Sequence, residues 1–275
     1  MKLSDGQRNA LLSALGEPVS VITGGPGVGK TTILRALAWI FAQNQLTLLL
    51  AAPTGRAAKR LEESTGQSAS TIHRLLEYQS GLHKFARDAK NPLEGTMLVI
   101  DEASMLDIQL AYQLFRAVPP TMKLVLVGDI DQLPSVGAGN VLGDIISSGQ
   151  VAVTALREIF RQQRDSKIIQ CAHGILRGRA PEPTTDPRAD FFYIESDTSE
   201  HTRDVVRQVV AARIPKAFGL DPMRDVQVLV PMYRGAAGAD AINADLQDVL
   251  NPAGGIEIER AHPEVIGRID IAIGL

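Results

Sequence analysis

Four short, nearly unbroken apolar runs dominate the first half of the chain, at residues 19–23, 46–52, 97–101 and 123–129, each ending in small or acidic residues. A strand with one wet face alternates apolar and polar positions. A run without alternation marks a strand covered on both faces, as in a parallel sheet. Helical stretches lie between the runs: 31–43 after the first, 56–64 after the second and 108–118 before the fourth. This strand–helix alternation predicts a doubly wound α/β domain. Ligands of such sheets gather at the carboxyl ends of the strands, where every polar cluster of this half falls.

The second half predicts a strand at 151–156, a helix at 166–177 and a linker at 180–190 rich in proline (Pro181, Pro183, Pro187). A strand at 191–194, a helix at 201–213, a buried strand at 226–230 and a helix at 239–250, stopped by Asn251-Pro252, follow. The expected division is a first domain at 1–150, a second and partial α/β domain at 151–252, and an unassigned tail at 253–275. Composition narrows the class. With 275 residues, 45% apolar and 21% charged, the chain is globular rather than disordered. The single Cys171 excludes a disulfide scaffold. A net charge of −3 argues against a generic nucleic-acid coat, though it leaves room for a local basic groove. The opening residues lack the apolar core of a secretory signal, and Arg35, Gln43, Asn44 and Gln45 interrupt the greasiest window. The expectation is a soluble, cytoplasmic protein with no membrane partner.

Three clusters carry chemistry. Gly24-Gly25-Pro26-Gly27-Val28-Gly29-Lys30-Thr31 fits the pattern G-x-x-x-x-G-K-[ST]. A tight loop between strand and helix must turn its amides toward one point, and glycine permits both the backbone angles and the close approach. The helix that follows adds its positive end, Lys30 can reach the β and γ phosphates, and Thr31 can offer a hydroxyl to Mg²⁺. Asp101 and Glu102 end the third apolar run: one carboxylate to hold Mg²⁺ through water, the other to orient and deprotonate an attacking water. The alternative for this pair is a helix N-cap, for which Ser104 and Asp107 are also candidates. Gln132, after the fourth run, is a neutral amide able to distinguish triphosphate from diphosphate, although a turn rich in Asp, Gly and Pro needs no function. By default His73 is a helix-surface or core histidine, Arg56 and Arg60 a solvated helix face, Arg161 a surface arginine, Trp39 a packing residue and Cys171 a buried, inert thiol.

Taken together, the strings resemble the superfamily 1 DNA helicases of the RecD-like type, from about residue 3 to residue 252. The resemblance implies a P-loop NTPase with a RecA-like parallel sheet, followed by a second, incomplete RecA-like domain. It makes Gln7 an adenine-reading residue and assigns Gly24, Gly25, Pro26, Gly27, Val28, Gly29, Lys30, Thr31 and Thr32 to ATP. Thr31 and Asp101 go to Mg²⁺, and Lys30, Glu102, Gln132 and Arg161 to catalysis, Arg161 reaching back to the phosphates. The strings at 52–61 and 71–76 are similar to segments that touch single-stranded DNA, which points to Pro53, Thr54, Arg56, Thr71 and His73. Residues 81–93 lie where the family has a short strand-parting hairpin; a surface loop is the alternative. Strings at 231–235 and 246–252 continue the likeness. The implied activity is ATP-driven 5′-to-3′ movement on single-stranded DNA or a single-strand/duplex junction. The family's last two motifs find no match before Leu275, which implies a truncated motor. Two rivals stand beside this reading: a nucleotide-gated single-strand binder with weak turnover, and a P-loop ATPase acting on protein, for which the two DNA-like strings have no use.

Overall fold

The computed structural model describes residues 3–156, 166–184, 186 and 188–251; Arg161 and the 253–275 tail lie outside them. Chain contacts divide the molecule into two compact units, Met1–Phe191 and Phe192–Leu275.

In the first unit, β1 (Val19–Thr23), β2 (Leu48–Ala52), β3 (Ala69–Thr71), β6 (Met97–Ile100), β7 (Lys123–Gly128) and β8 (Ala152–Ala155) form one sheet in the order β3-β2-β6-β7-β1-β8. Every pairing in it is parallel. Side chains alternate across a strand, so each apolar run feeds two cores. Val21, Leu98, Ile100, Leu124 and Leu126 face one way, against α5 (Ile108–Ala117) and α6 (Val141–Ser147). Ile22, Met97, Val99, Val125 and Val127 face the other, with α1 (Asp5–Gly16) and α2 (Lys30–Gln43). Burying one such large side chain is worth roughly 1.5–3 kcal/mol, and both faces collect it.

Three expectations change here, at the 151–156 run, at Trp39 and at Cys171. The 151–156 run, read as the opening of a second domain, supplies β8, the sheet's edge strand beside β1, with Thr23 in register with Ala155. The proline-rich stretch expected as a linker at 180–190 ends directly before the boundary between the two units. Asp190 accepts from the Ser166 hydroxyl (2.5 Å) and the Lys167 amide (2.7 Å), capping α7 (Lys167–Leu176). Those hydrogen bonds, the hydroxyl's first, hold the Asp190 carboxyl below its ordinary range. Trp39 is 66% exposed, because Arg35, four residues earlier, marks the outward stripe of α2 while Ile33, Leu34, Leu37 and Phe41 face the core. Cys171, expected to be buried, is half-buried.

The hairpin begins earlier than expected. β4 (Tyr78–Gln79) pairs antiparallel with β5 (Lys84–Phe85), while 88–91 close in a turn where Asp88 accepts from the Lys90 and Asn91 amides. The aromatic cross-strand pair Tyr78–Phe85, ring centres 4.9 Å apart, explains the start at 78.

The second unit packs α8 (Ser199–Gln208), a π-helical turn (Val209–Arg213), α9 (Ile214–Phe218) and α10 (Ala239–Leu250). Its core is Val206, Val210, Val226, Ile242 and Leu246. The expected strand at 191–194 is absent among the described residues, and 226–230 shows only isolated bridges at Gln227 and Leu229. Val226, Val228 and Val230 pack inward from alternate positions, so this run serves one core and not two. Among the described residues, no helix is long and apolar enough to cross a membrane.

Candidate nucleotide and DNA site

The parallel register brings the carboxyl ends of β1, β2, β6 and β7 to one edge of the sheet, with Thr23 opposite Gly128 and Ala51 opposite Ile100. The glycine-rich loop leaves β1 here and enters α2 at Lys30. Gly27 and Gly29 hold φ of +77° and +83°, backbone that L side chains rarely adopt. Gly24 serves a second purpose. A β-carbon there would lie 2.6 Å from the Leu156 carbonyl, so the loop's first glycine lets the chain after β8 close against it. Lys30 Nζ turns onto the loop and donates to the carbonyls of Gly24 and of Gly25, the latter at 3.2 Å.

Asp101 and Glu102 follow β6. The Glu102 amide donates to Asp101 Oδ1 at 3.0 Å, and Glu102 sits at φ +52°, a left-handed conformation uncommon for a residue with a side chain. Such strain clusters at functional sites, where the surroundings fix it. Burial, then the neighbouring Glu102 charge, pushes the Asp101 carboxyl up to about 6, against the Glu102 amide and Lys30. Lys30 and Asp101 thus feel each other across the sheet edge. The helix-cap alternative falls to Asp107, whose carboxylate accepts from the Leu110 amide at 2.7 Å at the head of α5.

Gln132 follows β7. Its amide donates to Asp129 Oδ2 at 3.1 Å, and Asp129 is 2% exposed. Asp129 was not a candidate from sequence; its place directly after a buried strand was the available signal. Gln7, also buried, completes a capping box with Ser4 and reaches the Val28 carbonyl at 3.5 Å, fastening α1 to the nucleotide loop.

Pro53, Thr54 and Arg56 follow β2, while Thr71 and His73 follow β3. These strands are neighbours with Ala52 opposite Thr71, so the two DNA-like strings meet at one corner. Thr54 and Thr71 cap α3 (Gly55–Thr65) and α4 (Ile72–Leu75), accepting from the amides of Ala57 and Arg74, both at 3.2 Å. His73 is exposed, its ring centre 5.6 Å from those of Tyr78 and Phe85 at the root of the hairpin.

These residues fit a nucleoside triphosphate with Mg²⁺. Left-handed glycines, a cationic amine and a helix start make an anion cradle, and two crowded carboxylates stand beside it. No cluster of three or more His, Cys, Asp or Glu among the described residues could hold a metal by itself. Mg²⁺ takes one or two protein ligands and completes its shell with phosphate and water, a demand that Thr31 and Asp101 could meet. A six-stranded parallel sheet carrying this loop defines the class: a P-loop NTPase of RecA-like α/β fold.

Similarity to known proteins narrows the class. Residues 7–138 match the family described as AAA domain. The chain is 41% identical over 258 residues to the ATP-dependent RecD2 DNA helicase of Deinococcus radiodurans, taking in 93% of this chain and 34% of that protein. It is 40% identical over 189 residues to the RecBCD enzyme subunit RecD of Mycobacterium tuberculosis, covering 60% of this chain and 33% of that one. Among solved structures, the Pif1 helicase of Candida albicans superposes with a TM-score of 0.51 at 26% identity, over 66% of this chain and 46% of its own. The chain is thus similar to proteins named as RecD and RecD2 and spans about a third of the length of these two curated relatives.

Proposed function

We propose that this chain is the motor part of an ATP-dependent DNA helicase, coupling ATP hydrolysis to 5′-to-3′ movement on single-stranded DNA or at a single-strand/duplex junction. One observation carries the reading most directly: β1 and β6 both pair in parallel with β7, so the glycine-rich loop after Thr23 and the Asp101-Glu102 pair leave the same edge of the sheet. Bound Mg²⁺·ATP supplies the phosphoanhydride that is cleaved. Toward it, Gly24–Thr32 hold the phosphate tail, Lys30 neutralises its charge, and Thr31 and Asp101 hold the metal. Glu102 orients a water and takes its proton, while Gln132 is the sensor of the terminal phosphate. Gln7 reads the adenine, and Arg161 supplies charge at the phosphates.

The DNA half of the proposal rests on Pro53, Thr54, Arg56, Thr71 and His73, which share a corner of the sheet edge. Likeness to proteins named as DNA helicases supports it. Because His73 packs on the hairpin, a strand held there also reports to Tyr78 and Phe85.

The test is steady-state ATP turnover with and without single-stranded DNA, in the natural chain and in Lys30→Ala. Stimulation by DNA, and a loss of about a hundredfold or more in Lys30→Ala with an unchanged fold, are the expected results. Undiminished turnover in Lys30→Ala overturns the assignment. Nucleotide-dependent DNA affinity with negligible turnover identifies a nucleotide-gated binder, and indifference to DNA identifies an ATPase acting on other partners.

A further inference from the structure

Among the described residues, four buried side-chain polar atoms find no hydrogen-bond partner: Ser20 Oγ, Thr23 Oγ1, Ser104 Oγ and His173 Nε2. A buried polar atom left unpaired is costly, so a group that can pair with it in another state of the protein is favoured to do so. Thr23 directly precedes the nucleotide loop, and Ser104 follows Glu102 by two residues. His173 differs, because it comes from α7, remote in sequence, and still reaches the same loop. A β-carbon built on Gly25 would lie 3.8 Å from His173 Cε1, the ring carbon bonded to the unpaired Nε2. The carbonyl of this same Gly25 now accepts from Lys30 Nζ at 3.2 Å. Lys30 cannot stay there and also neutralise a phosphate tail, since its amine has one position at a time. When it leaves, the Gly25 carbonyl loses its donor, and the ring of His173, with its unpaired Nε2, lies beside that glycine.

We propose that His173 is a positioning residue of the nucleotide loop: its Nε2–H takes over the Gly25 carbonyl when Lys30 turns to the phosphates. The exchange pairs two polar groups at once, the orphaned imidazole nitrogen and the vacated carbonyl, and so favours the ligand-bearing shape of the loop. The proposal rests on the ATP reading above.

The test measures equilibrium binding of a slowly hydrolysed fluorescent ATP analogue with Mg²⁺, alongside thermal unfolding of the nucleotide-free protein. His173→Phe keeps a ring and removes the donor. It is expected to weaken analogue binding by about tenfold, the worth of one such hydrogen bond, while leaving the unfolding temperature unchanged or raised. His173→Gln, whose amide places a donor near the Nε2 position, is expected to bind within about twofold of the natural chain. The ¹⁵N resonance of His173 Nε2 should move on saturation of the natural chain with the analogue. Wild-type affinity in His173→Phe overturns the proposal and leaves the ATP reading standing. So does a loss in His173→Gln equal to that in His173→Phe, or a fall in unfolding temperature that accompanies the loss. Failure of the natural chain itself to bind the analogue overturns the ATP reading, and this proposal with it.

Discussion

The first unit sorts its apolar residues onto two faces of one parallel sheet, with Leu98 and Ile100 on one side and Met97 and Val99 on the other. The second gathers a single small cluster around Val206, Val210, Val226, Ile242 and Leu246. Near that cluster the Arg203 guanidinium pairs with the Asp245 carboxylate, joining α8 to α10. Chemistry follows the same division. Among the described residues, the nucleotide loop, Asp101 and Glu102, Gln132 and both DNA-like strings belong to the sheet's edge. A parallel sheet brings distant stretches of chain to one line of strand ends, each fixed by ladder pairing, and that is how separate residues come to act on one ligand. A helical cluster with one core offers no such line. Polar site residues are tolerated at the sheet edge because the two-sided core supplies the stability that the strained Glu102 backbone and the desolvated Asp101 draw down.

Substitutions in the two units should separate these roles. The largest expected effect is on chemistry: Glu102→Gln should lower ATP turnover by about a thousandfold, with nucleotide affinity within about threefold. Single-turnover kinetics and equilibrium binding would read the two quantities. Equal losses in both would move Glu102 from the water to the nucleotide. Next comes packing. Leu98→Ala, at the centre of the sheet, should cost about 3–4 kcal/mol, and Val210→Ala, in the smaller core, about 1.5–2 kcal/mol. Denaturant unfolding of each variant would measure this, and a greater loss at Val210 would break the contrast between a two-sided and a one-sided core. The smallest effect is electrostatic. Arg203 holds the Asp245 carboxyl below its ordinary range, so the pair stabilises the second unit above that range and loses its contribution as pH falls through the lowered value. Asp245→Asn should be less stable than the natural chain at neutral pH and lose less on acidification below about pH 4. Parallel thermal-unfolding profiles against pH would show the pair to be without consequence.

Legibility followed how local each signal was. The nucleotide loop, the four apolar runs and Asp101-Glu102 could be read because the physics that demands them operates within a few residues: backbone angles at glycine, burial on both faces, side chains at a strand end. The 151–156 run had the right residues for a strand, but its membership in the first sheet depends on pairing with β1 more than a hundred residues earlier. The alternate packing of Val226, Val228 and Val230 is invisible in a run whose intervening Leu229 is also apolar. Trp39 belongs to the outward stripe of α2, which only the packing partners of Ile33, Leu37 and Phe41 define. Asp129 and His173 carried no motif. One is fixed by burial beneath Gln132, the other by α7 lying over Gly25.

The order of residues by itself determined that this chain would build a parallel α/β sheet with a phosphate loop after its first strand and two acids after the one that ends at Ile100. Those outcomes follow from covalent neighbours and from which side chains water rejects. Tertiary structure alone decided that the chain after β8 closes over Gly24, that the two DNA-like strings meet at one corner, and that Lys30 rests on loop carbonyls beside His173. Those are facts about pairs distant in sequence, and only the register of the sheet and the packing of its faces bring them together.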